Sequence, residues 1–190
     1  MSLIPSASQT VGPFFNFGLT ANQALGKVVG EGVDGERIRL RFRVIDGDGA
    51  PTPGDAMIEL WQADSAGRYP HPADPRPGQT GSFAGFGRLE VDVDGYCTFD
   101  TIKPGRVAGP DGRQQAPHIN VIVFARGILQ HLYTRVYFAR DPANEEDSVL
   151  ALVPEARRGS LLARQDGTDP SLWSIDIVLQ GDNETVFFDV

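Results

Sequence analysis

Residues 37–44 alternate between arginine and apolar side chains, and no other stretch constrains the fold as strongly. Successive side chains of a β-strand point to opposite faces, so the pattern predicts a strand with one buried face and one exposed face. The apolar positions are Ile38, Leu40, Phe42 and Val44, and the polar positions are Arg37, Arg39, Arg41 and Arg43. The arginine row fits either a solvated sheet face or a partner interface, and the sequence leaves both open.

Short strands separated by turns account for most of the remaining chain, because 22 glycines and 14 prolines interrupt it at short intervals. We expect further strands at 56–63, 88–93, 96–99, 118–124, 129–138, 172–179 and 184–189. Strand 129–138 is expected to pair with 118–124, and Asp94-Gly95 to close a hairpin. Residues 1–20 are expected to be irregular, and the best helix signal covers 143–152. The sum predicts a mainly β fold, an antiparallel β-sandwich with long loops and one or two short helices.

Length and composition indicate an ordinary globular protein with one domain over residues 1–190. The net charge of −8 argues weakly against nucleic acid and anionic membrane partners. No apolar run approaches the roughly 18 residues that span a bilayer. The N-terminus lacks the features of a secretion signal, and Cys97 is the single cysteine. These features favour a cytoplasmic protein.

His118 and Asn120 are two residues apart in the predicted strand 118–124, so their side chains project to the same face. A histidine at position 120 would complete a two-imidazole chelate, whereas the amide oxygen of asparagine is a poor ligand for a transition metal. The other two histidines, His71 and His131, belong to no metal or nucleophile motif. The pattern is that of a metal site that has lost a ligand, and it suggests a subunit that assists catalysis elsewhere.

Several spaced motifs follow one another in a characteristic order. They are Leu60-Trp61-Gln62-Ala63, Gly67-Arg68-Tyr69, Phe86-Gly87-Arg88, Thr101-Ile102-Lys103-Pro104-Gly105 and Ala116-Pro117-His118-Ile119. In this order they resemble the intradiol ring-cleaving dioxygenases, in which two tyrosines and two histidines bind a non-haem ferric ion. Residues 8–14, the segment Phe124-Ala125-Arg126-Gly127 and residues 184–189 extend the resemblance to members built from two homologous chains, alpha and beta. They resemble the iron-free alpha chains.

The resemblance implies that this chain lacks an iron site of its own and carries no catalytic residue. Tyr69 and His118 match the first iron tyrosine and the first iron histidine. Val107 and Asn120 stand where the second tyrosine and the second histidine would be. Gln115 replaces an arginine that steadies charge in the reaction. Tyr69 and His118 are then expected to be remnants, hydrogen-bonded to each other or to buried water.

The resemblance also implies that this chain completes the substrate pocket of an iron-bearing beta chain. The residues implied for this pocket are Thr10, Gly12, Pro13, Phe14 and Arg126, with residues 1–20 forming an N-terminal arm at the partner interface. Arg126 would attract the carboxylate of protocatechuate, although an ordinary surface salt bridge is the alternative for it. The complex would cleave protocatechuate with O2 to 3-carboxy-cis,cis-muconate, using Fe3+ in the beta chain, and would be a larger alpha-beta oligomer. Two other functions stay open: a ligand-binding or scaffold module without a catalytic role, and a self-sufficient intradiol dioxygenase with a degenerate iron site.

Overall fold

The computed structural model describes residues 10, 12–52, 54, 56–76, 82–109 and 112–189. The strands in these ranges are β1 (Arg37–Ile45), β2 (Ala56–Gln62), β3 (Phe86–Glu90), β4 (Tyr96–Ile102), β5 (Val107–Ala108), β6 (Gln114–Gln115), β7 (His118–Ala125), β8 (Leu132–Phe138), β9 (Leu162–Gln165) and β10 (Leu172–Val178). The α-helices are α1 (Pro13–Thr20) and α2 (Glu155–Arg158), and 3₁₀ turns cover Gln23–Gly26, Pro142–Glu146, Leu150–Leu152 and Gly159–Leu161. Within these ranges, no helix is long and apolar enough to cross a membrane.

The main sheet folds over on itself at β9. Its strand order, for the described part of the chain, is β3-β2-β7-β8-β9-β10-β1-β4. The start of β9 pairs with β8, and its end pairs with β10, so β9 belongs to both halves. Side chains from both halves form one apolar core, which includes Leu40, Phe42, Ile58, Leu60, Phe99, Val121 and Ile177. The predicted mainly β sandwich is therefore confirmed.

Strand β1 follows its sequence pattern closely. Leu40, Phe42 and Val44 are completely buried, and Phe42 packs edge-on against Phe99 with ring centroids 5.8 Å apart. A β-sandwich core of this kind is stabilised mainly by the apolar area removed from water. The alternation of residues 37–44 thus predicted both the strand and its buried face.

The arginine row on the opposite face of β1 makes contacts within the chain. Arg39 forms a salt bridge with Asp169. The Arg41 Nε donates to the Ser174 Oγ at 3.2 Å, and the Arg43 guanidinium lies 5.2 Å from the centroid of the Tyr96 ring. These contacts fit an ordinary sheet face, and the partner-interface alternative stays a prediction.

Two strand pairings differ from the all-antiparallel sandwich that was expected. β1 pairs with β10 in parallel, and β8 pairs with β9 in parallel. Parallel neighbours need long crossover connections, which local alternation along the sequence does not reveal. The antiparallel pairing of β7 with β8 was predicted correctly.

The hairpin expected at Asp94-Gly95 is wrong, although the turn itself exists. The Gly95 N–H donates to the Asp92 carbonyl at 3.0 Å, and the Asp92 carboxylate accepts from the Asp94 and Tyr96 N–H groups at 2.9 Å each. β3 ends at Glu90, short of the predicted 88–93, and β3 and β4 lie at opposite ends of the strand order. The turn therefore carries the chain from one half of the sandwich to the other.

Three other secondary-structure predictions are also wrong. Residues 143–152 form two 3₁₀ turns instead of one helix, because the Asp147 side chain binds backbone N–H groups between them. Residues 184–189 form no strand and make a single bridge between Phe188 and Tyr133. Helix α1 lies within residues 1–20, which were expected to be irregular. Proline at the first position of a helix favours its start, and Pro13 occupies that position.

Candidate functional site

Strand β7 joins two places for which the sequence predicted a function. His118 opens the strand, and Arg126 follows its last residue, Ala125. A strand rises about 3.3 Å per residue, so the two ends lie roughly 24 Å apart. The expected remnant of a metal site and the predicted substrate-pocket arginine are therefore at opposite ends of one strand.

At the first end, β7 and β8 present four polar side chains on one face. Antiparallel pairing places His118 opposite Tyr137 and Asn120 opposite Arg135. Residues two apart share a face, so the four side chains form a square patch. The rings of His118 and Tyr137 have centroids 5.8 Å apart. We call this patch, together with Tyr69, Val107 and Gln115, the remnant site.

Tyr69 reaches the remnant site from the loop after β2. The Asn120 Nδ2 donates to the Tyr69 Oη at 3.2 Å, and the Tyr69 ring stacks on Trp61 with centroids 5.7 Å apart. Burial raises the pKa of the Tyr69 phenol, and the Asn120 hydrogen bond and the Arg135 charge offset this only in part. Tyr69 is therefore a neutral phenol at neutral pH.

Backbone contact between two loops holds Tyr69 at this place. Gly67 adopts a φ of 73°, and a Cβ atom there would lie 1.9 Å from the Arg106 carbonyl oxygen. Only glycine accepts this conformation and this close approach. The contact brings the Tyr69 loop against the segment that leads into Val107.

His118 is almost completely buried, with 1% of its surface exposed. Its Nδ1 lies 2.8 Å from the Ala116 carbonyl oxygen. A carbonyl oxygen only accepts, so Nδ1 carries the proton and Nε2 has none. Burial and the neighbouring Arg135 charge lower the pKa of His118 to about 4, which keeps the ring neutral at pH 7. The predicted hydrogen bond between Tyr69 and His118 is wrong: among the described residues, Tyr69 bonds to Asn120 and His118 bonds to Ala116. The alternative, a hydrogen bond to buried water, stays a prediction.

Val107 and Gln115 face each other as paired residues of β5 and β6. Both are buried. The Arg135 Nη1 donates to the Gln115 Oε1 at 3.1 Å. The two positions that the resemblance matches to a second tyrosine and to a charge-steadying arginine thus lie together, and they carry an aliphatic side chain and an amide.

The remnant site does not fit a ferric ion. Such an ion favours several anionic or imidazole donors. Here Val107 has no donor, the Tyr69 oxygen accepts from an amide, and Arg135 brings a positive charge to the same patch. No group of three His, Cys, Asp or Glu side chains able to hold a metal occurs in the part of the chain that the structure describes.

A buried carboxylate, Asp147, stabilises the remnant site through hydrogen bonds to residues beside it. Its Oδ2 accepts from the Ala116 N–H at 2.7 Å. Its Oδ1 accepts from the Val149 and Leu150 N–H groups at 2.9 and 2.8 Å and from the Tyr137 hydroxyl at 3.2 Å. Asp147 is completely buried. It therefore ties the 3₁₀ segment to the start of β7 and to Tyr137.

At the other end of β7, Arg126 and Gly127 form a turn. The Ile128 N–H donates to the Ala125 carbonyl at 3.2 Å, and Gly127 adopts a φ of 88°. The Gly127 N–H donates to the Thr10 Oγ1 at 2.7 Å. The structure thus brings together two of the predicted pocket residues, Thr10 and Arg126, that are far apart in sequence.

An open cavity of about 400 Å³ adjoins this turn. Arg126 is exposed and lines the cavity together with Thr52, Ile128, Gln180 and the turn at Asp46–Asp48. Gly12 is exposed just before α1, in an extended conformation. The backbone of Pro13 and Phe14 belongs to α1, and their side chains lie outside the described part of the structure. Helix α1 is anchored at its end by the Thr20 Oγ1, which donates to the Glu90 Oε2 at 3.1 Å.

The Thr10 hydrogen bond leads to a first prediction. Thr10→Val removes the acceptor of the Gly127 N–H while keeping the size of the side chain, and a single hydrogen bond contributes about 1 kcal/mol. We expect a fall of about fivefold in kcat/KM when this chain is assayed together with the expected beta chain. Steady-state kinetics measure this, and Thr10→Ser, which keeps the hydroxyl, is expected to retain most of the activity. Equal losses of kcat/KM in both variants would show that the Thr10 hydroxyl does not contribute to activity.

The sequence alone did not point to Arg135 or Asp147 as site residues. Arg135 lies inside the predicted strand 129–138, but the sequence does not show that Asn120 lies opposite it. That follows only from the pairing register of β7 and β8. Asp147 lies in a segment that was interpreted as a helix, where an aspartate is expected to be solvated. The one signal available for Arg135 was that it is the single Asp, Glu, Lys or Arg in the predicted strand 129–138.

Comparisons with known proteins agree with this geometry. A family model described as dioxygenase matches residues 11–181. The protocatechuate 3,4-dioxygenase alpha chain of Burkholderia cepacia is 42% identical over 100% of this chain and 99% of its own length. That of Pseudomonas putida is 37% identical over 100% of this chain and 98% of its own length. The beta chain from Burkholderia cepacia is 36% identical over 80% of this chain and 67% of its own length.

The solved structures that are similar share the same fold. The dioxygenase domain of a dioxygenase–carbohydrate-binding protein fusion from Streptomyces sp. SirexAA-E has a TM-score of 0.62 at 26% identity, covering 96% of this chain and all of that domain. The 3-chlorocatechol 1,2-dioxygenase of Rhodococcus opacus 1CP has a TM-score of 0.64 at 21% identity, covering 94% of this chain and 69% of that chain.

Proposed function

Because this chain belongs to the intradiol dioxygenase family, we propose that it is the iron-free alpha subunit of a protocatechuate 3,4-dioxygenase. The family depends on iron in general, and its two-chain members have alpha and beta chains that are both similar to this chain. The homologous beta subunit is the proposed partner, in a higher alpha-beta oligomer. Residues 1–190 form one domain in this proposal, with residues 1–20 as an arm at the partner interface.

One observation carries the proposal: the two ends of β7 differ in what they offer. The remnant site, at the start of β7, lacks the donors for a ferric ion. Arg126 and Thr10, after the end of β7, form an exposed polar group beside an open cavity. An exposed arginine at the edge of a cavity suits a substrate that binds between two chains.

The role of this chain is to complete the substrate pocket. Arg126 attracts and orients the carboxylate of protocatechuate, because guanidinium groups bind planar carboxylates through charge-assisted hydrogen bonds. Thr10 holds the turn of Arg126 through the Gly127 N–H, and Gly12, Pro13 and Phe14 continue the pocket wall. Closure of the pocket by a second chain excludes water and fixes the ring. The ring-cleaving chemistry, in which both atoms of O2 enter 3-carboxy-cis,cis-muconate, is supplied by ferric iron in the beta subunit.

The proposal is tested by assaying O2 uptake with protocatechuate for this chain alone, for the beta subunit alone, and for the two chains made together. We expect cleavage at full rate only with both chains, which should purify as one complex. A self-sufficient dioxygenase would cleave the ring as a single chain, and a scaffold module would leave the rate of the beta subunit unchanged. Either result would contradict the proposal.

A further inference from the structure

Arg135 is a charged side chain placed where a metal site of this family would need negative or neutral donors. It lies on β8 directly opposite Asn120 and on the same face as His118 and Tyr137. Directly opposed residues of antiparallel strands have Cβ atoms about 5 Å apart. The side chain is half-buried, so the solvent screens its charge only in part.

A hydrogen bond holds the Arg135 guanidinium group in this patch. Its Nη1 donates to the Gln115 Oε1 at 3.1 Å, and Gln115 is itself fixed by the pairing of β6 with β5. Arg135 and Tyr137 are two residues apart on β8, so their side chains share one face of the sheet. Tyr69 is joined to the same patch through Asn120. The arginine therefore connects β6 and β8 beside the positions of all four lost or remaining ligands.

We propose that Arg135 stands in this chain in place of the metal ion, as a permanent cation that cross-links the remnant site and excludes metal cations from it. The loss of Val107 and Asn120 as donors is then only part of the reason that the site rejects a metal. Guanidinium cannot give up its proton in proteins, so its charge persists at every working pH. This inference concerns the chain's own remnant site and does not depend on the proposed partner.

The same charge is felt by the groups around it. Together with burial it lowers the pKa of His118, and it offsets in part the rise that burial causes in the pKa values of Tyr69 and Tyr137. The geometry agrees, since Arg135 lies across from Asn120, which in turn bonds to Tyr69, and bonds directly to Gln115. A divalent or trivalent cation at the same place would meet that charge at short range, where repulsion is strong.

The test rebuilds the ligand set with and without the arginine. The double variant V107Y/N120H restores a second tyrosine and a second histidine beside Tyr69 and His118. The triple variant V107Y/N120H/R135Q removes the charge as well and keeps a side chain that hydrogen-bonds. V107Y/N120H/R135K keeps a positive charge, and V107Y/N120H/R41Q is the matched control, because Arg41 is also half-buried on a strand and bonded to a neighbouring side chain.

Fe3+ binding to each full-length variant is measured from the visible tyrosinate-to-iron absorption and from metal content after dialysis. We expect the R135Q triple variant to bind iron at least a hundredfold more tightly than the double variant, and the Lys and Arg41 variants to behave as the double variant does. Circular dichroism checks that each variant is folded, and V107Y/N120H/R135M replaces R135Q if the latter is not. Equal affinity of the double and the charge-removed variants, including no binding by either, would overturn the inference.

Discussion

Arg126→Ala is expected to lower kcat/KM for protocatechuate by about 10- to 150-fold in the complex with the proposed iron-bearing partner, with the iron content unchanged. Hydrogen bonds to charged groups contribute about 1.5–3 kcal/mol, which corresponds to this range. Arg126 is exposed in this chain and lies roughly 24 Å along β7 from the remnant site. Its loss should therefore alter substrate binding without altering any metal site.

A substrate without the carboxylate separates this role from a structural one. Catechol has the same two hydroxyl groups but no carboxylate, so Arg126→Ala should change its kcat/KM little. Arg126→Lys should retain part of the preference for protocatechuate, since the charge remains but the planar fork is lost. Arg164→Ala is the matched control, because Arg164 is exposed on β9. An equal fall for both substrates, or loss of iron, would contradict the role given to Arg126.

Asp147→Ala should have the largest effect on stability, a loss of about 3–5 kcal/mol in the free energy of unfolding. The substitution removes an acceptor that serves three backbone N–H groups and the Tyr137 hydroxyl inside the protein. Each buried donor left without a partner costs about 1–3 kcal/mol. Urea denaturation of the purified chain, followed by fluorescence of its two tryptophans, measures the loss.

Asp147→Asn provides a graded comparison. Three of the four hydrogen bonds end on Oδ1, which asparagine keeps, whereas the Ala116 N–H would face an amide NH2 in place of Oδ2. The expected loss is about 1–3 kcal/mol. Asp182→Ala, at an exposed position, should stay within about 0.5 kcal/mol of the wild type. A loss no larger for Asp147→Ala than for Asp182→Ala would show that the network is not important for folding.

Local pattern was enough to predict much of the sandwich from the sequence. The alternation of residues 37–44 predicts β1 and its buried face, because every second side chain of a strand points to the same face and the apolar ones are buried there. The pairing of β7 with β8 also follows from two apolar runs close in sequence. The switch of β9 between the two halves depends on contacts far apart along the chain, so no local pattern shows it.

The candidate site, too, was predictable from the sequence only in part. Motif order identified Tyr69 and His118, and the structure places them on adjoining segments linked through Asn120 and the start of β7. Their actual hydrogen-bond partners depend on register and loop contact, which the sequence does not state. Thr10 and Arg126 were assigned to one pocket, and the bond from the Gly127 N–H to the Thr10 hydroxyl brings their segments together. Arg135 was missed, because its meaning depends on which residue lies across the strand.

The iron content of the purified complex tests the central claim most directly. If this chain is the iron-free subunit, metal analysis should give one iron for each pair of alpha and beta chains. The chain made alone should then be colourless and contain no stoichiometric iron. Two irons per pair, or one iron bound to this chain alone, would contradict the division of labour proposed for the two ends of β7.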